Sequence, residues 1–205
     1  MRDLISRGLA GLLLAGGLFW VGLPVQGEET ADDLLDLRSG LSFNHESPAR
    51  GRDNWLEVTV PLRTRGPATS FVDNVRVVLS LATGTPPNLR YYQSEVRIAT
   101  LQGLQTHNIR FYLPAAVVQR DNVSREPYAW AVRAYANGRE QDLPSRNDRA
   151  NRLNSDQLYQ SFLQAAGNES SRNEGVLVPI YDSPFWNNFP NEPVPAFIRL
   201  PARSG

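Results

Sequence analysis

Imidazole, thiol and amine chemistry are scarce in this chain. Its two histidines, His45 and His107, lie 62 residues apart. A histidine zinc site takes two or three imidazoles at helical or hairpin spacing, so both are expected at strand ends or on the surface. Cysteine is absent, which excludes thiol nucleophiles, thiolate metal sites and haem attached through cysteine. All 21 basic residues are arginine. Without lysine there is no Schiff base, no P-loop lysine and no Ser–Lys dyad. No Gly-x-Ser-x-Gly elbow occurs, so a serine hydrolase of that type has no support. Arg120, Asp121, Arg125 and Glu126 form a charge cluster. It reads as a salt-bridged loop, because a paired-carboxylate site needs two acids converging in one cleft. These residues lead to no catalytic, cofactor-binding or metal-ligating side chain, and to no cofactor.

Surface chemistry is concentrated instead in Asp182–Pro190, which carries Phe185, Trp186 and Phe189. A buried aromatic removes about 150–250 Å² from water, worth roughly 4–6 kcal/mol as an upper bound. Three such rings either fold back over their own domain, the favoured reading, or meet a partner. The prolines favour an extended arm that can lie along a groove or a sheet edge. Tyr91 and Tyr92 are a second candidate patch; adjacent strand positions face opposite ways, so one of them is expected inside. Phe185, Trp186, Phe189, Tyr91 and Tyr92 are therefore the candidate partner-binding residues, for protein or for glycan.

The elements that would position these residues are mostly strands. From Trp55 to Arg63, Leu56, Val58, Val60 and Leu62 alternate with Glu57, Thr59, Pro61 and Arg63, the period of a strand with one buried face. Pro61 lacks an amide donor and should meet an edge or a bulge. Phe71–Ala82 repeats the pattern, with Val78 apolar on the outer side, which suggests partial cover there. Further strands are expected at Leu89–Leu101, His107–Leu113, Tyr128–Tyr135 and Gly175–Tyr181, with a helical turn after Pro114. Asn137-Gly138 marks a hairpin, with Arg139–Leu143 as the return arm. Trp55 or Trp130 should fill the central core position. Residues 145–154 are polar and read as a mobile connection. Ser155 should cap an amphipathic helix that packs Leu158, Tyr159, Phe162 and Leu163 and stops at Gly167. This pattern predicts a mostly β fold: an immunoglobulin-like β-sandwich with one short C-terminal amphipathic helix and an extended Pro/aromatic arm.

The N-terminus sets the expected compartment. Arg2 and Arg7 precede an apolar run from Gly8 to Gly22, and small residues surround Gly27. That is the pattern of a secretory signal peptide over 1–27. The run falls short of the roughly 20 residues that span a bilayer, so no stable membrane span is expected after processing. Residues 28–36 read as a flexible leader or a short helix, with little order before Leu37, and 37–205 as the sandwich domain with its helix and arm. The first 27 residues hold two arginines and one aspartate, which leaves 19 basic against 20 acidic groups. No basic field exists for nucleic acid.

Asn54–Val58, Phe71–Val77, Arg110–Pro114, Tyr128–Trp130 and Gly175–Pro179 together resemble segments of exported proteins from verrucomicrobial-type bacteria. Those proteins have an immunoglobulin-like fold and are associated with type IV-pilus-like systems. The resemblance spans most of residues 40–200 and lies in packing motifs. It implies a structural or adhesive role outside the cytoplasm, and it transfers no catalytic residue. The expected function is a non-enzymatic structural or accessory protein, exported to the periplasm or cell surface. Its partners would be envelope or pilus-like proteins; a carbohydrate-binding domain is the alternative.

Overall fold

Alternating apolar residues dictate where the sheets form. The structure, a computed structural model, describes residues 33–48, 53–144, 146–189 and 195–199. The expected signal peptide and residues 28–32 of the leader lie outside them. The strands are β1 (Leu35–Leu37), β2 (Ser42–Glu46), β3 (Trp55–Thr64), β4 (Phe71–Thr83) and β5 (Arg90–Gln102). They continue as β6 (Thr106–Leu113), β7 (Ala129–Ala136), β8 (Arg139–Glu140), β9 (Val178–Pro179) and β10 (Phe197–Ile198). Two helices, α1 (Ala115–Arg120) and α2 (Asp156–Glu169), complete the set. One antiparallel sheet runs β1-β3-β6-β9, with β2 also paired to β3; the other runs β10-β5-β4-β7-β8. This is the β-sandwich with an immunoglobulin-like fold that the pattern predicted.

The core lies between the sheets. Leu56, Val58, Val60 and Leu62 of β3 and Ile109, Phe111 and Leu113 of β6 face Val77, Leu79 and Leu81 of β4 and Val96 and Ile98 of β5, all fully buried. Trp130 joins this core, 5.9 Å from the Phe43 ring. Trp55 does not. It lies on the opposite face of β3, against Phe185. Pro61 sits opposite the gap between β1 and β2: β1 pairs up to Leu62 and β2 begins at Thr59. Its missing donor falls where no strand needs one.

Both outer faces are covered by segments late in the chain. On the second sheet, Val78, Ser80 and Ala82 of β4 and Ala129 and Ala131 of β7 are buried and share one face by register. Such small side chains make a shallow floor on which α2 lays Tyr159, Phe162 and Ala166. Ser155 caps α2, accepting from the Leu158 amide at 3.3 Å. Leu158 itself is exposed, and Gly167 lies inside the helix. The packed ridge is 159, 162 and 166, so Leu158 falls on the solvent side, and the helix continues to Glu169 before a 3-10 turn at Ser170–Asn173.

Two further expectations are corrected. Order begins before Leu37: Leu35 and Leu37 are buried in β1, paired to β3. The leader therefore ends earlier than residue 36, because alternate leucines give a short strand a face to bury. The polar connection is anchored over its described residues, 146–154. The Asp148 carbonyl accepts from Val132 N–H at 2.7 Å, Ala150 N–H donates to the Trp130 carbonyl at 2.9 Å, and Ala150 and Leu153 are buried. Asn137 and Gly138 both take positive φ, 52° and 82°, making the hairpin turn their sequence demands. Of the strand expected at 175–181, only Val178–Pro179 pairs, with β6.

Candidate functional site

Three places gather the polar and aromatic groups. The first is a carboxylate at the end of α1. Asp121 caps this short helix, with its amide bonded to the Val117 carbonyl at 2.9 Å. Its side chain is inaccessible to solvent. One oxygen accepts from Thr83 Oγ1 at 2.6 Å and Tyr92 Oη at 2.8 Å; the other accepts from Arg90 and from Arg120 Nε, each at 2.7 Å. Arg120 also donates to the Tyr92 hydroxyl. Burial pushes the Asp121 carboxyl up, but hydrogen bonds from Arg120, Thr83 and Tyr92 outweigh it and hold it at about 2. Burial and the Asp121 carboxylate push the Tyr92 phenol up to about 12. With an acid locked ionised and a phenol locked protonated, neither is poised to exchange protons near neutral pH. The arrangement ties α1 to β4 and β5.

The second place is the outer face of the first sheet. Tyr112 Oη donates to Glu57 Oε2 at 2.6 Å, and Thr59 Oγ1 donates to Glu57 Oε1 at 3.1 Å. Arg110 Nε lies 3.8 Å from Glu57 Oε1. Burial, then the hydrogen bond to Glu57, pushes the Tyr112 phenol well above its ordinary range. The arm closes over this group. Phe185 stacks on Tyr112 with centroids 4.6 Å apart and meets Trp55 edge-on at 5.8 Å. The Arg110 guanidinium sits 3.8 Å above the Phe189 ring, a cation–π contact.

The third place is a groove of about 900 Å³ between the β5 edge of one sheet and the β9 edge of the other. Glu95, Arg97, Glu174, Asp182 and Arg199 line it, with Leu177 and Tyr181 on the far wall. Tyr181, Phe197 and Trp186 run beside it as a chain of ring contacts at 5.3 and 6.3 Å.

The five candidate residues are thus not one surface. Phe185 (1% exposed) and Tyr92 (0%) are buried, so neither is open to a partner. Phe185 serves as the plug over Tyr112, and Tyr92 belongs to the Asp121 network. Tyr91 is half-buried against Phe162 of α2 at 6.0 Å. Phe189 is half-buried over Arg110. Trp186 remains, 39% exposed. Sequence reasoning missed Glu57 and Arg110, whose strand positions looked solvent-facing. The available signal was Trp55 and Tyr112, large aromatics at the same outward parity. His45 reaches the Ser124 carbonyl at 3.1 Å and His107 the Gln102 carbonyl at 3.3 Å. Among the described residues, no cluster of three acids or histidines forms a metal set, and no helix is long and apolar enough to cross a membrane.

Sandwich, covered faces and edge groove define an immunoglobulin-like β domain. In fold it is similar to a crystal structure from Akkermansia muciniphila, with a TM-score of 0.62 at 15% sequence identity over 81% of this chain and 94% of that one. That organism is a verrucomicrobe; the likeness is one of fold. No family model matches the sequence, and no curated protein does.

Proposed function

We propose that this chain is an exported, non-enzymatic structural or accessory module of the cell envelope, and that it works by binding other proteins beside a pilus-like assembly. The observation that carries this reading is how the ionisable groups are used. The carboxylates of Glu57, Asp121 and Asp148 are all bonded within the sandwich, while strand edges and the rim at Trp186 face outward. Export follows from the leader pattern at 1–27, and the pilus-like setting from the sequence resemblance. The test is size-exclusion light scattering with crosslinking in the native envelope. Capture of a defined envelope protein is expected; a monomer that captures none would overturn the reading.

One observation favours a second reading, glycan binding: Trp186 stays exposed beside Phe197, near a groove lined by planar polar side chains. A glycan array signal that disappears in Trp186→Ala would promote it.

A further inference from the structure

Backbone N–H and C=O groups in a strand point alternately to its two sides. On β5, Ala99 N–H donates to the Ala196 carbonyl at 2.8 Å, and β10 pairs Ile198 with Arg97. Arg97 and Ala99 therefore face away from β4. The Tyr91 carbonyl faces the same side and accepts from Asn173 Nδ2 at 2.9 Å. Gln93 and Glu95 share this parity. Their backbone groups turn away from β4, and among the described residues nothing bonds them. They open into the groove whose far wall is Leu177, Val178 and Tyr181. The second sheet thus has a gap in its edge, closed by Asn173 at one end and by β10 at the other, about 20 Å long at strand rise.

We propose that this gap accepts one extended peptide segment of a partner protein, added to β5 as a short strand. The inference rests on the protein-binding reading above and names the surface that performs it. A slot closed at both ends and walled opposite suits a single segment better than the edge of another sheet. Guest residues opposite Gln93 and Glu95 take the backbone bonds and point their side chains outward. The guest residue between them turns inward beside Ser94 and Leu177, where a small or apolar side chain fits. Arg97 is engaged by Glu95 at 2.7 Å, and Arg199 by the Tyr181 carbonyl at 3.3 Å. By count the lining holds three carboxylates, Glu95, Glu174 and Asp182, against these two guanidiniums, so its net charge favours basic outward residues on the guest.

The probe is a blocked pentapeptide, Arg-Val-Arg-Ala-Arg, titrated into the full chain and followed by backbone amide NMR. Shifts and slowed exchange at Gln93 and Glu95 are expected. Glu95→Pro removes the groove-facing N–H and leaves the β4 ladder intact. It should weaken the peptide by about tenfold, the loss of one backbone bond, whereas Glu95→Gln, which keeps the N–H, should lose less. Melting curves establish that both variants fold. Peptide shifts elsewhere, or equal binding by Glu95→Pro, would overturn the proposal. So would Gln93 and Glu95 amides that are already protected in the free chain and lose that protection when residues 200–205 are removed, since the occupant would then be the chain's own end. If envelope crosslinking persists while the slot variants have no effect on it, the slot fails and the protein-binding reading stands.

Discussion

Asp121 joins α1 to two strands through a single carboxylate, so its removal and its titration can be worked from the same geometry. The native carboxyl titrates at about 2 against an ordinary 3.8. At 1.36 kcal/mol per pH unit, that difference is worth about 2 kcal/mol, the part carried by Arg90 and Arg120 being discounted because both are 47% exposed. The folded state binds this proton less tightly than the unfolded one. The contribution is therefore complete above the ordinary carboxyl value and is lost as pH falls from 3.8 toward about 2. Asp121→Asn removes the charge and sets an amide N–H₂ near two hydroxyl donors. At pH 6 it should cost about 3 kcal/mol, or roughly 6–12 °C in Tm for a chain of this size. Because the wild type alone loses the titrating contribution, the gap should shrink to about 1 kcal/mol near pH 2. Urea unfolding followed by circular dichroism and tryptophan fluorescence at pH 6, 4, 3 and 2 measures it. A gap that stays constant down to pH 2, or one below about 0.5 kcal/mol at pH 6, refutes the network as described.

Other positions separate the remaining parts of the structure. Phe185→Ala should destabilise by about 3 kcal/mol through the cavity over Tyr112, read as a lower urea midpoint. Tyr112→Phe should cost about 2 kcal/mol by leaving Glu57 short of a donor, in the same assay. Gly103→Ala places a Cβ 2.1 Å from the Pro67 carbonyl oxygen and should cost about 2 kcal/mol. Its neighbour Leu104, at φ 57° and 57% exposed, behaves oppositely: Leu104→Gly should raise the melting temperature, by up to about 1 kcal/mol of relieved strain. Trp130→Ala should lose roughly 3–5 kcal/mol of core packing; an unchanged melt would mean that the inward face is misassigned.

Strands with one wet-looking and one apolar side were legible from Leu56 to Leu62 and from Val75 to Leu81, because a period of two needs no partner to be seen. The Asn137-Gly138 turn and the Ser155 cap were legible for a similar reason: each is decided by a few adjacent residues. What local pattern could not show was which polar positions would be roofed. Glu57 and Arg110 look exposed until Phe185 and Phe189, more than 70 residues later in sequence, come down on them. Leu158 looked inward because it lies at helical spacing from Phe162, yet the ridge is set by the small residues beneath it. Asp121 was recognised within its charge cluster, but Thr83 and Tyr92 are reached only through sheet topology. The groove could not be read at all, since it exists where two sheet edges diverge.

The covering of both sheets by late segments constrains the order in which the chain can mature. A ribosome delivers β1 to β8 first, and with them two sheet faces that carry Val78 and Ala82 on one side and Trp55 and Tyr112 on the other. Neither face has its roof until α2 and the segment through Phe189 have emerged, and the β10 pairing waits for Ile198. Closure of the sandwich faces is therefore coupled to the arrival of the segments from α2 through Ile198. A chain halted near residue 155 would hold a nearly full set of strands and yet present two sticky surfaces, which marks interrupted products for aggregation or for a holding chaperone.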